Sequence, residues 1–331
     1  MRENTIGMPS LPGQRRKPSD MIEQSRIISL FYLFKPLIPR RMQIHLRRRI
    51  VAKKRRTSSR TWPIDVAAAT PVNNWSGWPD QKKFAVILTH DVDTPRGHTR
   101  CLQLADLEKN LGFRSAFYFV PRRYDVSLGL REYLLSGGFE IGVHGLYHDG
   151  LLYKSREIFR ERALHINRYL KEWQAVGFRS PSMHHNLDWL HDLEVEYDAS
   201  TFDTDPFEPQ PDGVRTIFPF WVNGETTRGG YVELPYTLAQ DFTLFILMQN
   251  RNIDIWKHKL DWIADQGGMA LILTHPDYMN FDGSAPGFEE YPSRLYEDLL
   301  LYIKDRYRNE YWHALPKEVA RFWTACVVDK R

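Results

Sequence analysis

The sequence predicts an α/β domain in which parallel strands and helices alternate to form a distorted barrel, preceded by a basic N-terminal arm. Three observations support this fold class. The chain has 331 residues, 42% of them hydrophobic, which is enough to bury a large core. From residue 83 onward, short apolar runs alternate with amphipathic segments, as in parallel sheets with right-handed crossovers. Roughly six to eight such repeats over about 250 residues favour a barrel over an open sheet.

Charge divides the chain into two parts. Residues 1–60 contain 16 Lys/Arg and 3 Asp/Glu, whereas the remainder contains 29 Lys/Arg and 38 Asp/Glu. We therefore predict a basic arm over 1–60, a linker over 61–82 and a barrel domain over 83–331. The two cysteines, Cys101 and Cys326, are too few for a disulfide framework, and we expect both to be small buried hydrophobic residues.

Two helices are expected in the arm. One covers about 21–34 and ends at the prolines that follow it. A second is expected within 40–56, where apolar residues recur every four positions at Met42, Leu46 and Ile50. The longest apolar run of the arm is shorter than the ~18–20 residues that cross a bilayer, and no signal-type cleavage site follows it. We therefore expect a cytoplasmic protein.

The elements of the barrel domain follow from the alternation of apolar runs and amphipathic segments. Strands are predicted at 83–90, 115–120, 139–144, 176–181, 231–236 and 269–275. Helices are predicted at about 98–111, 131–138, 154–173, 254–266 and 292–307. In a parallel α/β domain, side chains at the carboxyl ends of the strands meet in the active site.

Polar side chains stand at these strand ends. Asp91 and Asp93 follow the first strand, and their spacing points both to the same side of an extended backbone. A solvated pair that caps the next helix would have the same spacing. His144 ends the third strand and His148 follows four residues later, so one helical turn would place both imidazoles on one face. Two histidines and a carboxylate suit zinc, cobalt, manganese or iron better than magnesium or calcium.

Three further groups follow later strands. Arg179 can hold a carboxylate with its planar fork, or it can be a surface arginine before a turn. Asp198, Asp203 and Asp205 lie in a predicted loop, where a solvated acidic turn is the alternative. His275 follows the last predicted strand. These groups converge with the others only if their strands share one sheet.

The order HDVD, HGLYH, RSPS, YDAS and LTH over residues 83–280 resembles the five motifs of the polysaccharide deacetylase family, carbohydrate esterase family 4. Its NodB-like domain is a distorted, often seven-stranded barrel. The resemblance implies a metal-dependent hydrolase that removes N-acetyl groups from a sugar or glycan. It implies that Asp91 is the base and that one divalent ion, expected to be zinc, is bound by Asp93, His144 and His148.

The resemblance also implies roles for the later motifs. Arg179 would orient the base, and His275 would be the acid. Three residues are candidates for substrate contact. Tyr147 would stack on a sugar, and Ser182 would offer a backbone N–H to the oxyanion. Asp198 is the third candidate for substrate contact.

Alternatives remain because the motifs depart from the family pattern. Val92 separates the two acids, and Ser182-Met183 replaces the usual Tyr-Gly. YDASTFDTD at 197–205 is similar to a branch that includes peptidoglycan deacetylases and metal-independent ureide or imide hydrolases, so hydrolysis of a cyclic amide is a second possibility. A non-catalytic glycan-binding or membrane-scaffold protein is a third. A non-haem iron oxygenase is disfavoured because HDVD at 90–93 has the wrong spacing for its His-x-Asp element. No nucleic-acid partner is expected because no nucleic-acid module follows the arm.

The arm predicts a membrane partner. Residues 21–56 combine an apolar block with a basic one, and eight Lys/Arg fall between 47 and 60. Such segments gain on the order of 1 kcal/mol per basic residue beside anionic lipid. We expect the arm to hold the protein on the inner face of an anionic membrane. The alternative is that the first helix packs on the barrel and the basic run is merely solvated.

Overall fold

The computed structural model describes residues 38–71, 75–224 and 229–328, so the helix predicted over 21–34 lies outside the described residues. The chain divides into two compact units, Met1–Leu46 and Arg47–Arg331. The second unit contains the barrel.

The strands in chain order are β1 (Phe84–Val92), β2 (Ala116–Phe119), β3 (Glu140–His144), β4 (Gly177–Arg179), β5 (Tyr197–Asp198), β6 (Phe220–Asn223), β7 (Gly230–Glu233), β8 (Met269–Thr274), β9 (Met279–Asn280), β10 (Tyr291–Pro292) and β11 (Tyr311–His313). The helices are α1 (Arg40–Thr57), α2 (Pro95–Leu111), α3 (Leu128–Ser136), α4 (Arg156–Trp173), α5 (Asp254–Gln266), α6 (Arg294–Arg306) and α7 (Pro316–Trp323). The alternation of strands and helices confirms the predicted fold class.

Seven strands form the barrel wall in the parallel order β8-β1-β2-β3-β4-β5-β7. Between β7 and β8 the wall continues through a single bridge, Leu238 to Ile272, and through Thr237, whose N–H donates to Leu271 O over 3.1 Å. β6 is antiparallel to β7, and β11 pairs with the first residues of β1. This thin seam makes the barrel distorted.

β1 is the central strand, and all nine of its residues are buried. Parallel strands covered on both faces are expected to be apolar throughout, which explains the uninterrupted run that begins the strand. Alternate residues face opposite sides. His90 faces α2, where its Nε2 lies 2.8 Å from Glu108 Oε1, whereas Thr89 and Asp91 lie on the other face with Arg179. The strand therefore delivers carboxylates to the barrel interior.

The helices and strands predicted within the described residues are found within a few residues of their expected bounds, but six elements were missed. They are β5, β6, β9, β10, β11 and α7. The five strands have two to four residues each, too few for a periodic signal. The acidic segment around β5 is not a solvated turn, because Asp198, Asp203 and Asp205 are 0%, 1% and 3% exposed.

Helix α1 confirms the helix predicted at 40–56. Within the second unit, Arg48 Nε donates to Ile246 O over 2.9 Å, and Lys54 Nζ donates to Pro206 O over 2.7 Å. This part of the basic run is therefore packed as well as solvated. None of the helices in the described ranges is long and apolar enough to span a bilayer. Cys101 is a buried free thiol as expected, but Cys326 is partly exposed.

A buried ion pair joins α5 to the segment after β5. Lys259 Nζ lies 2.5 Å from Asp203 Oδ2, and both side chains are 2% exposed. A second lysine pair provides the contrast. Lys83 Nζ lies 3.0 Å from Asp265 Oδ1, and these side chains are 41% and 69% exposed.

We predict that Lys259→Ala lowers the free energy of unfolding by about 3–5 kcal/mol, because it leaves a buried carboxylate without its cation. Lys83→Ala, which breaks an exposed pair, should cost less than about 1 kcal/mol. Urea denaturation of both variants measures the difference. Equal small losses would show that Asp203 is accommodated without Lys259.

Candidate active site

The carboxyl end of β1 carries two acids on the same face of the strand. Asp91 is 2% exposed, and the side chain of Asp93 is 14% exposed. Arg179 Nη1 donates to Asp91 Oδ1 over 3.1 Å. Asp91 Oδ2 lies 3.6 Å from His144 Nε2. The first acid therefore has a fixed cation on one oxygen, and the second acid lies beside the histidines.

Asp93, His144 and His148 form one cluster. The Nε2 atoms of His144 and His148 lie 3.4 and 3.1 Å from Asp93 Oδ1, and one ligand atom from each residue falls within 4.8 Å of the others. His144 Nδ1 donates to Arg179 O over 3.0 Å, which directs the Nε2 lone pair toward the cluster.

The cluster fits a divalent metal. Asp93 Oδ1 is buried and has no well-aligned hydrogen-bond donor among the described residues, although two imidazole nitrogens lie close to it. A metal requires lone pairs that point to one place, here from a carboxylate oxygen and two imidazole nitrogens, with no hydrogen bond between them. Two imidazoles and one carboxylate are also the donors of catalytic zinc sites, which keep a fourth position open.

The loop that carries His148 is not the helical turn predicted from the His-x3-His spacing. Residues 145–150 are irregular, with φ of +61° at Gly145 and +55° at His148. A Cβ at Gly145 would lie 2.5 Å from Pro181 Cγ, so only glycine allows this close approach. The two imidazoles meet because the loop reverses against Pro181.

Arg179 is fully buried and connects three strands. Its Nε donates to Ala199 O over 2.8 Å, and Nη1 also donates to Thr89 Oγ1 over 3.0 Å. The guanidinium lies 4.5 Å from the centroid of the Tyr118 ring. These contacts hold the guanidinium of Arg179 in one position, and from there it fixes the orientation of Asp91.

His275 faces a carboxylate that sequence reasoning missed. Its Nδ1 lies 2.7 Å from Asp241 Oδ1, and its backbone N–H donates to Oδ2 over 2.8 Å. Tyr291 donates to the same Oδ2 over 3.0 Å. Burial by itself lowers the pKa of His275, but the charge and hydrogen bond of Asp241 outweigh burial and raise that pKa to about 10.

Asp241 was not found because no regular strand precedes it. The chain leaves β7, makes single bridges near residues 236 and 238, and enters a π-helix at Phe242–Leu247. A second missed carboxylate, Asp277, accepts from the backbone N–H of Asp93 over 2.9 Å and from the hydroxyl of Thr94. It fixes the backbone that presents the candidate ligand Asp93.

The three candidates for substrate contact differ in position. Tyr147 is 38% exposed and immediately precedes His148. Ser182 is half-buried with φ of +57°, and its N–H has no acceptor in the described part of the chain. Asp198 is fully buried, and its two oxygens accept from the hydroxyl and N–H of Ser200. Substrate contact remains a prediction for all three, and burial does not favour it for Asp198.

No protein-family model and no curated protein matches this sequence. Among solved structures, the chain is similar to one described as a polysaccharide deacetylase from Mycobacterium smegmatis, with 20% identity, 77% of this chain and 95% of that chain covered, and a TM-score of 0.58. It is similar to one described in the same way from Pseudomonas aeruginosa, with 17% identity, coverages of 80% and 98%, and a TM-score of 0.58. It is also similar to the Puue allantoinase, with 16% identity, coverages of 80% and 98%, and a TM-score of 0.59. These matches show that the chain has the NodB-like fold of the polysaccharide deacetylases, carbohydrate esterase family 4.

Proposed function

We propose that the chain is a metal-dependent hydrolase that removes N-acetyl groups from a sugar or glycan. One observation carries the proposal. A base candidate (Asp91), a set of three metal-ligand candidates (Asp93, His144 and His148) and an acid candidate (His275) all stand at the carboxyl ends of strands in one barrel. Amide hydrolysis needs these three functions together.

The two acids at the end of β1 have different roles: Asp91 is the base, and Asp93 is one of the metal ligands. A bound divalent ion, zinc by the preference of this donor set, would polarise the acetyl carbonyl and lower the pKa of a water. Asp91 would take a proton from the attacking water. Arg179 occupies Asp91 Oδ1 at 3.1 Å, so Oδ2 is the oxygen left to accept the proton. Arg179 therefore orients the base.

His275 supplies the proton that the leaving amine needs. An amine leaves an amide readily only when it is protonated, which is the task of a general acid. Because the pKa of His275 is raised to about 10, its imidazole is protonated at neutral pH. The N–H of Ser182, which has no acceptor in the described chain, is available to stabilise the oxyanion of the tetrahedral intermediate.

Hydrolysis of a cyclic amide or ureide is the second candidate function. It is supported by the similarity to the Puue allantoinase, and it would use the same acid and base. A non-catalytic role is disfavoured because every position that the mechanism needs carries a competent side chain. Acetate release from N-acetylated glycans, compared with ring opening of allantoin, separates the two hydrolase functions.

We predict that Asp91→Asn retains its metal but loses acetate release by about 10²–10⁴-fold, because only the base is removed. His148→Ala should lose both metal and activity. Elemental analysis and an acetate assay with and without chelator measure the two properties. Equal metal content in His148→Ala and wild type would refute the metal site, and an Asp91→Asn protein without metal would show that Asp91 is also a ligand.

We predict that Asp241→Asn moves the alkaline limit of kcat/KM to lower pH. His275 works as an acid only while protonated, and without the charge of Asp241 burial lowers its pKa from about 10. A shift of about one unit or more is expected, since one unit is worth ~1.4 kcal/mol. Tyr291→Phe is the matched control, because it removes a neutral hydrogen bond to Asp241 and leaves the charge. An unchanged limit in Asp241→Asn would remove Asp241 from this role.

We also propose that the arm binds an anionic membrane surface, which would place the protein at the inner face of a membrane. Helix α1 supports this proposal. Its three apolar residues at four-residue spacing are exposed, by 53% at Met42, 45% at Leu46 and 55% at Ile50. The helix contains no acidic residue. Exposed apolar side chains among basic ones are typical of helices that lie in a lipid interface.

Replacement of Met42, Leu46 and Ile50 by serine should abolish co-sedimentation with anionic vesicles at low salt, since the apolar contact is lost. Replacement of Val66, Leu128 and Leu164 by serine is the control, because these residues are 77%, 59% and 73% exposed at other sites. If wild type stays in the supernatant, or if both triple variants pellet equally, α1 is not the membrane contact.

A further inference from the structure

An exposed aromatic ring on the loop that carries His148 lies beside two guanidinium groups. Tyr147 is 38% exposed, and the Cζ atoms of Arg122 and Arg162 lie 5.8 and 5.0 Å from its ring centroid. Arg122 Nη1 also donates to the Tyr147 hydroxyl over 2.8 Å. Three side chains from three separate segments therefore form one surface cluster.

The cluster is fixed to the candidate metal site by the backbone. Tyr147 immediately precedes His148, so their Cα atoms are about 3.8 Å apart. Leu146, on the other side, is 2% exposed and anchors the loop in the core. The backbone N–H of Arg122 donates to Leu146 O over 3.0 Å. The segment after β2 and the loop after β3 are thus tied together beside the metal ligand.

The two arginines differ in charge compensation. Arg162 is neutralised by Asp149, to which it donates two hydrogen bonds of 2.7 Å each. Arg122 contacts two further rings: it donates to His165 Nδ1 over 3.0 Å and lies 5.9 Å from the Tyr169 ring centroid. Within the described chain, Arg122 forms no ion pair with a carboxylate.

Holding a long, exposed side chain in one position costs side-chain entropy, and here no ion pair offsets that cost. A fixed guanidinium with an uncompensated charge matches a planar carboxylate. One such charge suits a carboxylate better than a phosphate ester, which carries nearly two negative charges at neutral pH. An aromatic ring beside the cation suits the apolar face of a sugar.

We propose that Arg122 and Tyr147 form a substrate subsite for an acidic sugar, in which Tyr147 stacks on the sugar ring and Arg122 binds its carboxylate. The inference rests on the proposed deacetylase function and defines its substrate class as N-acetylated glycans that contain uronic acids. Arg122 then determines specificity and takes no part in the chemical step.

The test compares two soluble substrates with the full-length, metal-loaded protein. One is a neutral oligomer of N-acetylglucosamine, and the other alternates N-acetylglucosamine with glucuronic acid. Wild type should show the lower KM for the acidic oligomer. Arg122→Ala should raise that KM by about 10- to 100-fold, the scale of one charge-assisted hydrogen bond, and leave kcat and the neutral substrate nearly unchanged.

Arg123→Ala is the matched control, because Arg123 is the adjacent exposed arginine and has no side-chain partner in the described residues. It should behave as wild type on both substrates. Arg122→Lys should recover part of the preference, since it keeps the charge without the planar fork. Thermal unfolding checks that all variants are folded.

Binding separates failure of this inference from failure of the proposed function. Calorimetry with the acidic oligomer compares Asp91→Asn with the Asp91→Asn, Arg122→Ala double variant, and it needs no turnover. A weaker Kd in the double variant supports the subsite even if no acetate is released by wild type. Equal Kd values, or KM values that rise equally for both oligomers in Arg122→Ala, would overturn it.

Discussion

The ion pair between Arg179 and Asp91 is the interaction on which the rest of the site depends. A charged pair this deep is unfavourable unless other hydrogen bonds accompany it. Arg179 donates from Nε to the carbonyl of Ala199 and from Nη1 to Thr89, whereas its buried Nη2 has no partner among the described residues. Those partners lie on β1 and after β5, and the arginine itself ends β4. The same residue therefore links three strands and holds Asp91, the proposed base, in position. The carbonyl of Arg179 in turn orients His144.

The other carboxylates of the site differ in whether they are paired with a cationic group. Asp91 is matched by Arg179, and Asp241 is matched by His275. Asp93 has two imidazoles beside it and an oxygen without a well-aligned donor. Of these three carboxylates, Asp93 is thus the one whose surroundings call for a bound cation. Pairing also separates the two proposed roles, because Arg179 holds Asp91, the proposed base, and Asp241 raises the pKa of His275, the proposed acid.

The loop after β3 carries both a candidate metal ligand, His148, and an exposed aromatic residue, Tyr147. Its positive φ values at Gly145 and His148 turn one side chain of the loop toward Asp93 and leave the side chain before it exposed. Because Tyr147 and His148 are adjacent, a sugar bound by the first, as proposed, would be near a metal bound by the second. Arg122, fixed to the same loop through Leu146, would add charge selectivity to that contact.

The sequence by itself determined the alternating architecture and the polar residues at the strand ends. Apolar runs and two-residue alternation are local properties, so β1 with its two acids could be located without tertiary information. The tertiary structure decided which of these residues contact each other. His275 and Asp241 are 34 residues apart, and Arg122 and Tyr147 are 25 apart. No periodic pattern relates such positions, because they meet only when separate strands are placed side by side. The conformation of His148 was also decided by tertiary structure, through the close approach of Gly145 to Pro181. The spacing of the two histidines does not predict that contact.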